Sequence, residues 1–66
     1  MNSIDIGKKL IALRGDLTQE QVAKALGVSR SSIGMYERGE RIPRDEVKTE
    51  IAKLFDTTVQ EIFFAN

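Results

Sequence analysis

The 66-residue sequence contains no cysteine, so neither a disulfide nor a thiolate metal site can reinforce its fold. It contains no histidine either, which removes the commonest metal ligand and the commonest general base. No Gly-rich phosphate loop is present, and a chain this short leaves no room for a deep pocket. The carboxylates are spread along helix surfaces at cap or salt-bridge positions. An enzyme is not expected, nor is a metal or other cofactor, and no small-molecule ligand is evident. The longest apolar run falls far short of the ~20 residues of a membrane span, so no membrane partner is expected. No charged-then-apolar leader opens the sequence, and a cytoplasmic location is expected. A chain of this size buries only about 60% of its unfolded surface. Its fold must rest on apolar packing and well-made helix caps.

Net charge is also lacking: ten basic and ten acidic residues cancel. That argues mildly against a nucleic-acid partner, but distribution matters more than the sum. From Lys8 to Arg44 there are eight basic residues and four acids, a balance of +4. From Asp45 to Asn66 there are five acids and two lysines, a balance of −3. The chain is basic through its middle and acidic at its end.

What is present reads as helix throughout, in one all-α domain over 1–66. Ile6, Leu10 and Leu13 recur at helical spacing in a first helix over 4–14, with Ser3 or Asp5 as its cap and Gly15 as its stop. A second helix spans 19–26. Thr18 and Gln21 form its capping box, Leu17 can staple onto Val22, and Val22, Ala23 and Leu26 form its apolar stripe. Gly27 follows at the position that ends helices. Ser29 caps a third helix over 30–38. Ile33, Tyr36 and Glu37 share one side of it; Arg30, Gly34 and Arg38 share the other, joined by Ser31 and Met35. Pro43 suits the first turn of a fourth helix over 44–55, where Val47, Ile51, Leu54 and Phe55 form a stripe. Thr58 and Glu61 form a second capping box, before a short fifth helix over 59–63.

The informative constellation surrounds Gly27. Two helices that cross steeply through a short turn need a small residue where their axes approach, here Ala23. They need a glycine for the left-handed turn, here Gly27, and an apolar residue to fill the angle between them, here Ile33. The run from Thr18 through Gln21, Val22, Ala23, Leu26, Gly27, Ser29 and Arg30 to Ile33, followed by Tyr36, Glu37, Arg38, Gly39 and Pro43, resembles the phage repressor and Cro family, the Xre-type helix-turn-helix. The likeness extends from Ile6 to Phe63. It implies a compact five-helix domain of the lambda-repressor-like fold. Its implied function is sequence-specific binding of double-stranded DNA by a transcription regulator, a repressor, that reads the major groove with the third helix.

The resemblance also implies roles for residues. Arg30, Ser31 and Met35 would reach base edges, with Met35 apolar against a thymine methyl. Gln19, at the start of the second helix, would meet a phosphate, and so would Arg38, Arg41 and Arg44. Ser32, Gly34 and Tyr36 are further candidates for DNA contact. For Ser32 a plain surface role is an equal alternative; for Gly34 the alternative is a tolerated surface glycine; Tyr36 is expected half-buried, its hydroxyl reaching a phosphate or solvent. Arg14 and Glu37 correspond to a structural ion pair between the first and third helices. Two departures from the family pattern stand out: the connection from Arg14 to Gln19 is about two residues short, and Asp45 is acidic where an apolar residue is usual, so the fourth helix should enter the core later.

A cation is poorly placed at a helix N-terminus, so Arg30 needs a reason beyond solvation. A methionine at helical spacing is usually core, but Met35 lies opposite Ile33. Lys8, Lys9, Lys24, Lys48 and Lys53 read as solvated faces. Phe63 and Phe64 are adjacent on a short helix, so one should be core and the other, Phe64, exposed or buried in a second subunit. A homodimer through this C-terminal region on a palindromic operator is expected. The rival function is an antitoxin or regulator that uses this domain mainly to bind a partner protein, since fold does not fix function.

Overall fold

The computed structural model describes residues 2–65. Among these residues there are five helices and no strand: α1 (Ser3–Arg14), α2 (Gln19–Leu26), α3 (Arg30–Glu37), α4 (Asp45–Leu54) and α5 (Gln60–Phe64), the last a single π-helical segment. The expected all-α class holds, and the element bounds agree with the sequence pattern to within a residue or so. Caps account for much of that agreement. Thr18 Oγ1 accepts from the Gln21 N–H at 3.0 Å while Gln21 Oε1 accepts from the Thr18 N–H at 2.8 Å, a complete capping box. Ser29 Oγ accepts from the Ser32 N–H at 3.0 Å at the start of α3.

Elsewhere the local reading needs correction. Neither Ser3 nor Asp5 caps α1: Asn2 does, with its side-chain oxygen accepting from the Asp5 N–H at 2.9 Å. Pro43 is not in the first turn of α4 but buried just before it, Arg44 being the cap residue. The second capping box is half made: Thr58 Oγ1 accepts from the Glu61 N–H, and no return bond from Glu61 is present among the described residues. α4 ends on Asp56 at φ 53°, the left-handed position that glycine usually fills and that Asp tolerates better than most.

The core is built from Ile6 and Leu10 of α1, Val22 and Ala23 of α2, Ile33 and Tyr36 of α3, Ile51 and Ala52 of α4, and Ile62 and Phe63 at the end. Ile51 and Ile62 are each 1% exposed, and burying such a side chain contributes about 1.5–3 kcal/mol. On α4 the stripe is rotated from the expected one. Ala52 is buried, Leu54 is exposed, and Val47 and Phe55 only flank the core. With Asp45 in solvent, the first fully buried position of α4 is indeed late, at Ile51.

α1 crosses the end of α3 at very short range. A Cβ at Gly7 would stand 2.8 Å from the Glu37 carbonyl carbon and 2.9 Å from the Tyr36 carbonyl oxygen. Only glycine lets the two backbones meet there. This contact, and the packing of α2 on both α3 and α4, fixes where α3 sits and which side it shows.

Candidate nucleic-acid interface

The turn from α2 to α3 is three residues long. Gly27 stands at φ 71°, ψ 30°, and the Val28 N–H donates back to the Ala23 carbonyl at 3.0 Å, closing α2. Nothing lies within 4 Å of the place a Gly27 Cβ would occupy, so glycine is needed there for its backbone angle and not for space. Half-buried Val28 packs against the core, and Ser29 starts α3 at once. The helix that leaves this turn has two unlike sides. Ile33, Tyr36 and Glu37 are buried; Arg30, Ser31 and Arg38 are exposed, and Met35 is half-buried. Arg30, Ser31, Met35 and Arg38 line one open groove with Gln19 and Glu40, and Gly34 contributes its floor.

The buried side of α3 is held by one carboxylate. Glu37 is 8% exposed, the one charged residue among the buried ones described. Its Oε2 accepts from Arg14 Nε at 2.6 Å, and its Oε1 accepts from Arg14 Nη2 at 3.1 Å and from Gln19 Nε2 at 2.9 Å. Arg14 also donates to the Leu17 carbonyl at 2.8 Å, which ties down the short connection between α1 and α2. The hydrogen bond to Glu37 pushes the Arg14 guanidinium above its ordinary pKa. One side chain of α3 thereby fastens α1 and α2 together, and the short connection does not prevent it.

The exposed side carries a second pair. Arg38 Nε donates to Glu40 Oε2 at 2.7 Å and Nη2 to Glu40 Oε1 at 3.3 Å. Gly39, at φ 75°, reverses the chain, and the Glu40 N–H donates to the Met35 carbonyl at 2.9 Å, which brings Glu40 back beside Arg38. The hydrogen bond from Arg38 holds the Glu40 carboxyl below its usual range and raises the Arg38 guanidinium above its own.

These contacts sort the residues singled out in the sequence. Arg30 and Ser31 are exposed on the groove, and Met35 lines it from a half-buried position. Arg41 and Arg44 are exposed, and neither forms an ion pair among the described residues. Gln19 differs from expectation, because its amide nitrogen is turned inward to Glu37. At the start of α2 the Gln21 N–H is taken by Thr18, which leaves the backbone N–H groups of Gln19 and Glu20 without a helix partner. Three further candidates are corrected. Tyr36 is 6% exposed and belongs to the core. Ser32 is absorbed into the α3 cap, its Oγ 2.9 Å from that of Ser29. Gly34 does not offer bare backbone to a ligand, since the Arg38 guanidinium lies across it. Lys48 is not solvated: its ammonium stands 5.4 Å and 5.3 Å from the ring centres of Phe63 and Phe64. Lys9 likewise donates to the Glu61 carbonyl. Phe63 is core, whereas Phe64 is 56% exposed. Glu40 went unnoticed in the sequence, where an arginine, a helix-ending glycine and a glutamate in succession were the available signal.

Comparison with known proteins agrees with this geometry. The family model described as helix-turn-helix matches residues 8–62. An uncharacterized HTH-type transcriptional regulator of Methanocaldococcus jannaschii is 44% identical over 48 residues, which is 73% of this chain and 73% of that protein. The restriction-modification controller protein C.AhdI of Aeromonas hydrophila superimposes with a TM-score of 0.81 at 32% identity, over 91% of this chain and 94% of the other. The P22 c2 repressor, solved in complex with a synthetic operator, gives a TM-score of 0.85 at 25% identity, over 92% of this chain and 96% of the other. The family model spans most of the chain, and the fold is shared with solved repressor and controller proteins: the chain belongs to the helix-turn-helix family, in its phage repressor and Cro (Xre-type) group.

Proposed function

We propose that this protein is a transcription regulator that binds double-stranded DNA sequence-specifically, with α3 in the major groove. The observation that carries the reading is the two-sidedness of α3. Ile33, Tyr36 and Glu37 anchor it while Arg30 and Ser31 stand in solvent at its first turn, the part of a recognition helix that meets base edges. Arg30 and Ser31 supply hydrogen bonds to bases, and Met35 supplies apolar contact. The free N–H groups of Gln19 and Glu20 and the guanidinium groups of Arg41 and Arg44 take phosphates. The similarity to a repressor solved on its operator supports repression, by occlusion of the polymerase.

Two copies on half-sites about one helical turn apart would make the operator palindromic. Phe64, 56% exposed beside buried Phe63, is the apolar residue offered to a second subunit. The function is binding without catalysis. No helix among the described residues is long and apolar enough to cross a membrane, and a cytoplasmic site of action is the reading that accompanies DNA binding.

A second reading, docking of a partner protein, draws on Ile4 and Ile11. They are seven residues apart on α1, and 57% and 45% exposed. Titration of selected and unrelated duplexes at rising salt separates the two. Phosphate contacts release counterions, so affinity must fall steeply with salt. Arg30→Ala should cost roughly 5–150-fold on the selected site, the worth of one good base contact, and far less on unrelated DNA. Arg41→Ala should weaken all duplexes alike and flatten the salt slope by about one. Failure to retain any duplex in dilute buffer would leave the protein-docking reading.

A further inference from the structure

We infer that Arg38 is a guanine-reading side chain, held for that task by Glu40 in the space a side chain at Gly34 would fill, and not a phosphate clamp. The inference rests on the DNA-binding reading above and names a specificity determinant within it. Its first support is the glycine. Gly34 lies inside α3, where it is less favourable than alanine by about 1 kcal/mol. The three atoms nearest to where its Cβ would stand all belong to the Arg38 guanidinium, at 2.9, 3.6 and 3.7 Å. The missing side chain is the space the guanidinium occupies.

The second support is that Glu40 is not a loose surface acid. Left-handed Gly39 and the bond from the Glu40 N–H to the Met35 carbonyl fix its backbone, and both its carboxylate oxygens meet Arg38. A guanidinium so engaged is a poor phosphate ligand. The pair has no net charge, so it offers little attraction to a phosphate, and the carboxylate beside it repels one. Its donors are another matter. Of the five N–H groups of an arginine, Glu40 takes one on Nε and one on Nη2. The second N–H of Nη2 and both of Nη1 remain, a fork of the width that O6 and N7 of guanine accept. The neighbours in the same groove are Arg30, Ser31 and Met35, the residues assigned to base edges. A neutral, oriented, donor-rich group in that company suits a base edge and not the backbone.

The test compares the wild-type chain with Glu40→Gln, Gly34→Ala and Arg38→Ala. Binding sites are selected from random duplexes with the wild type. Each guanine of the selected motif is then replaced in turn, and binding is titrated across salt. One guanine per half-site should matter to the wild type by roughly 5–150-fold and to Arg38→Ala hardly at all. Glu40→Gln should lose much of that preference while binding unrelated DNA more tightly, with a salt slope steeper by about one, because a free cation has been released. Gly34→Ala should lose the preference while melting no lower than the wild type, since its new methyl meets only the movable end of Arg38. A selected motif on which Glu40→Gln and Gly34→Ala keep the full guanine preference would overturn the inference and leave DNA recognition standing. A wild type that selects no motif would overturn both.

Discussion

The last turns of α3 carry an arginine–glutamate pair on each side, and the two pairs have almost the same length. Arg14 and Glu37 meet at 2.6 Å on the inner side; Arg38 and Glu40 meet at 2.7 Å on the outer side. Their surroundings differ far more than their distances. The inner side chains are 21% and 6% exposed, the outer ones 59% and 55%. Removing one inner partner strands a charge away from water, whereas removing one outer partner leaves a charge that water solvates at once. The inner pair joins residues 23 apart in the sequence and draws in Gln19, so three helices share it. The outer pair joins residues two apart and concerns only the end of α3 and its own loop. Each side also has its glycine. Gly7 faces rigid carbonyl groups of α3, while Gly34 faces the tip of a flexible arginine. The same chemistry builds a fastening where water is excluded and a presented surface where it is not.

Substitutions on the two sides sharpen this contrast, and the largest effect belongs to Glu37. Glu37→Ala should lower stability by about 3 kcal/mol, the low end for breaking a buried pair, because Arg14 can still reach some water. In a domain of this size that is a fall in melting temperature of about 12–24 °C, read by thermal circular dichroism. A loss under about 1 kcal/mol would put the inner pair in the same class as a surface pair. Gly7→Ala comes next, at about 2 kcal/mol in a urea titration, since a methyl there must push two backbones apart. If it is tolerated, α1 can retreat from α3 and the contact is not what sets the angle of α3.

On the outer side, Arg38→Ala should leave the melting temperature unchanged while altering DNA binding, the reverse of the inner pattern. A clear thermal loss would mean that the loop after α3 depends on this pair. The smallest effect concerns pH. Arg38 lowers the Glu40 carboxyl from its usual range, so any stabilisation from the pair is complete above that range and disappears only as pH falls through the lowered value. Both groups are exposed, so melting and guanine discrimination should stay level between about pH 5 and 8. Discrimination that fades within this window would show Glu40 releasing Arg38 too early to hold it in use.

The parts of the fold that were legible in the sequence are those made by short-range chemistry. Thr18 with Gln21, Ser29 before α3 and left-handed Gly27 act on backbone groups within a few residues, so their type and spacing suffice. Errors arise where several local partners compete or where a distant one intervenes. Asn2, Ser3 and Asp5 are all able caps for α1, and only the chain path selects Asn2. Leu54 and Ala52 both fit an amphipathic α4, and the neighbours α4 meets bury Ala52. Gln19 reads as a phosphate ligand until Glu37 turns its amide inward, from 18 residues away. Lys48 reads as solvated until Phe63 and Phe64 of the next helix bring their rings up to its ammonium.

By itself, the order of apolar, capping and glycine residues determined the five helices of the described residues, the sharp turn after the second, and that Arg30 and Ser31 open the third. Those properties follow from backbone hydrogen bonds and turn angles, which reach only a few residues along the chain. Tertiary structure alone decided which polar side chains were consumed by the fold and which were left for a ligand. It turned Gln19 and Tyr36 inward and laid Arg38 over Gly34 against Glu40. Such choices depend on the water removed from each group, and that is settled only when distant helices close on one another.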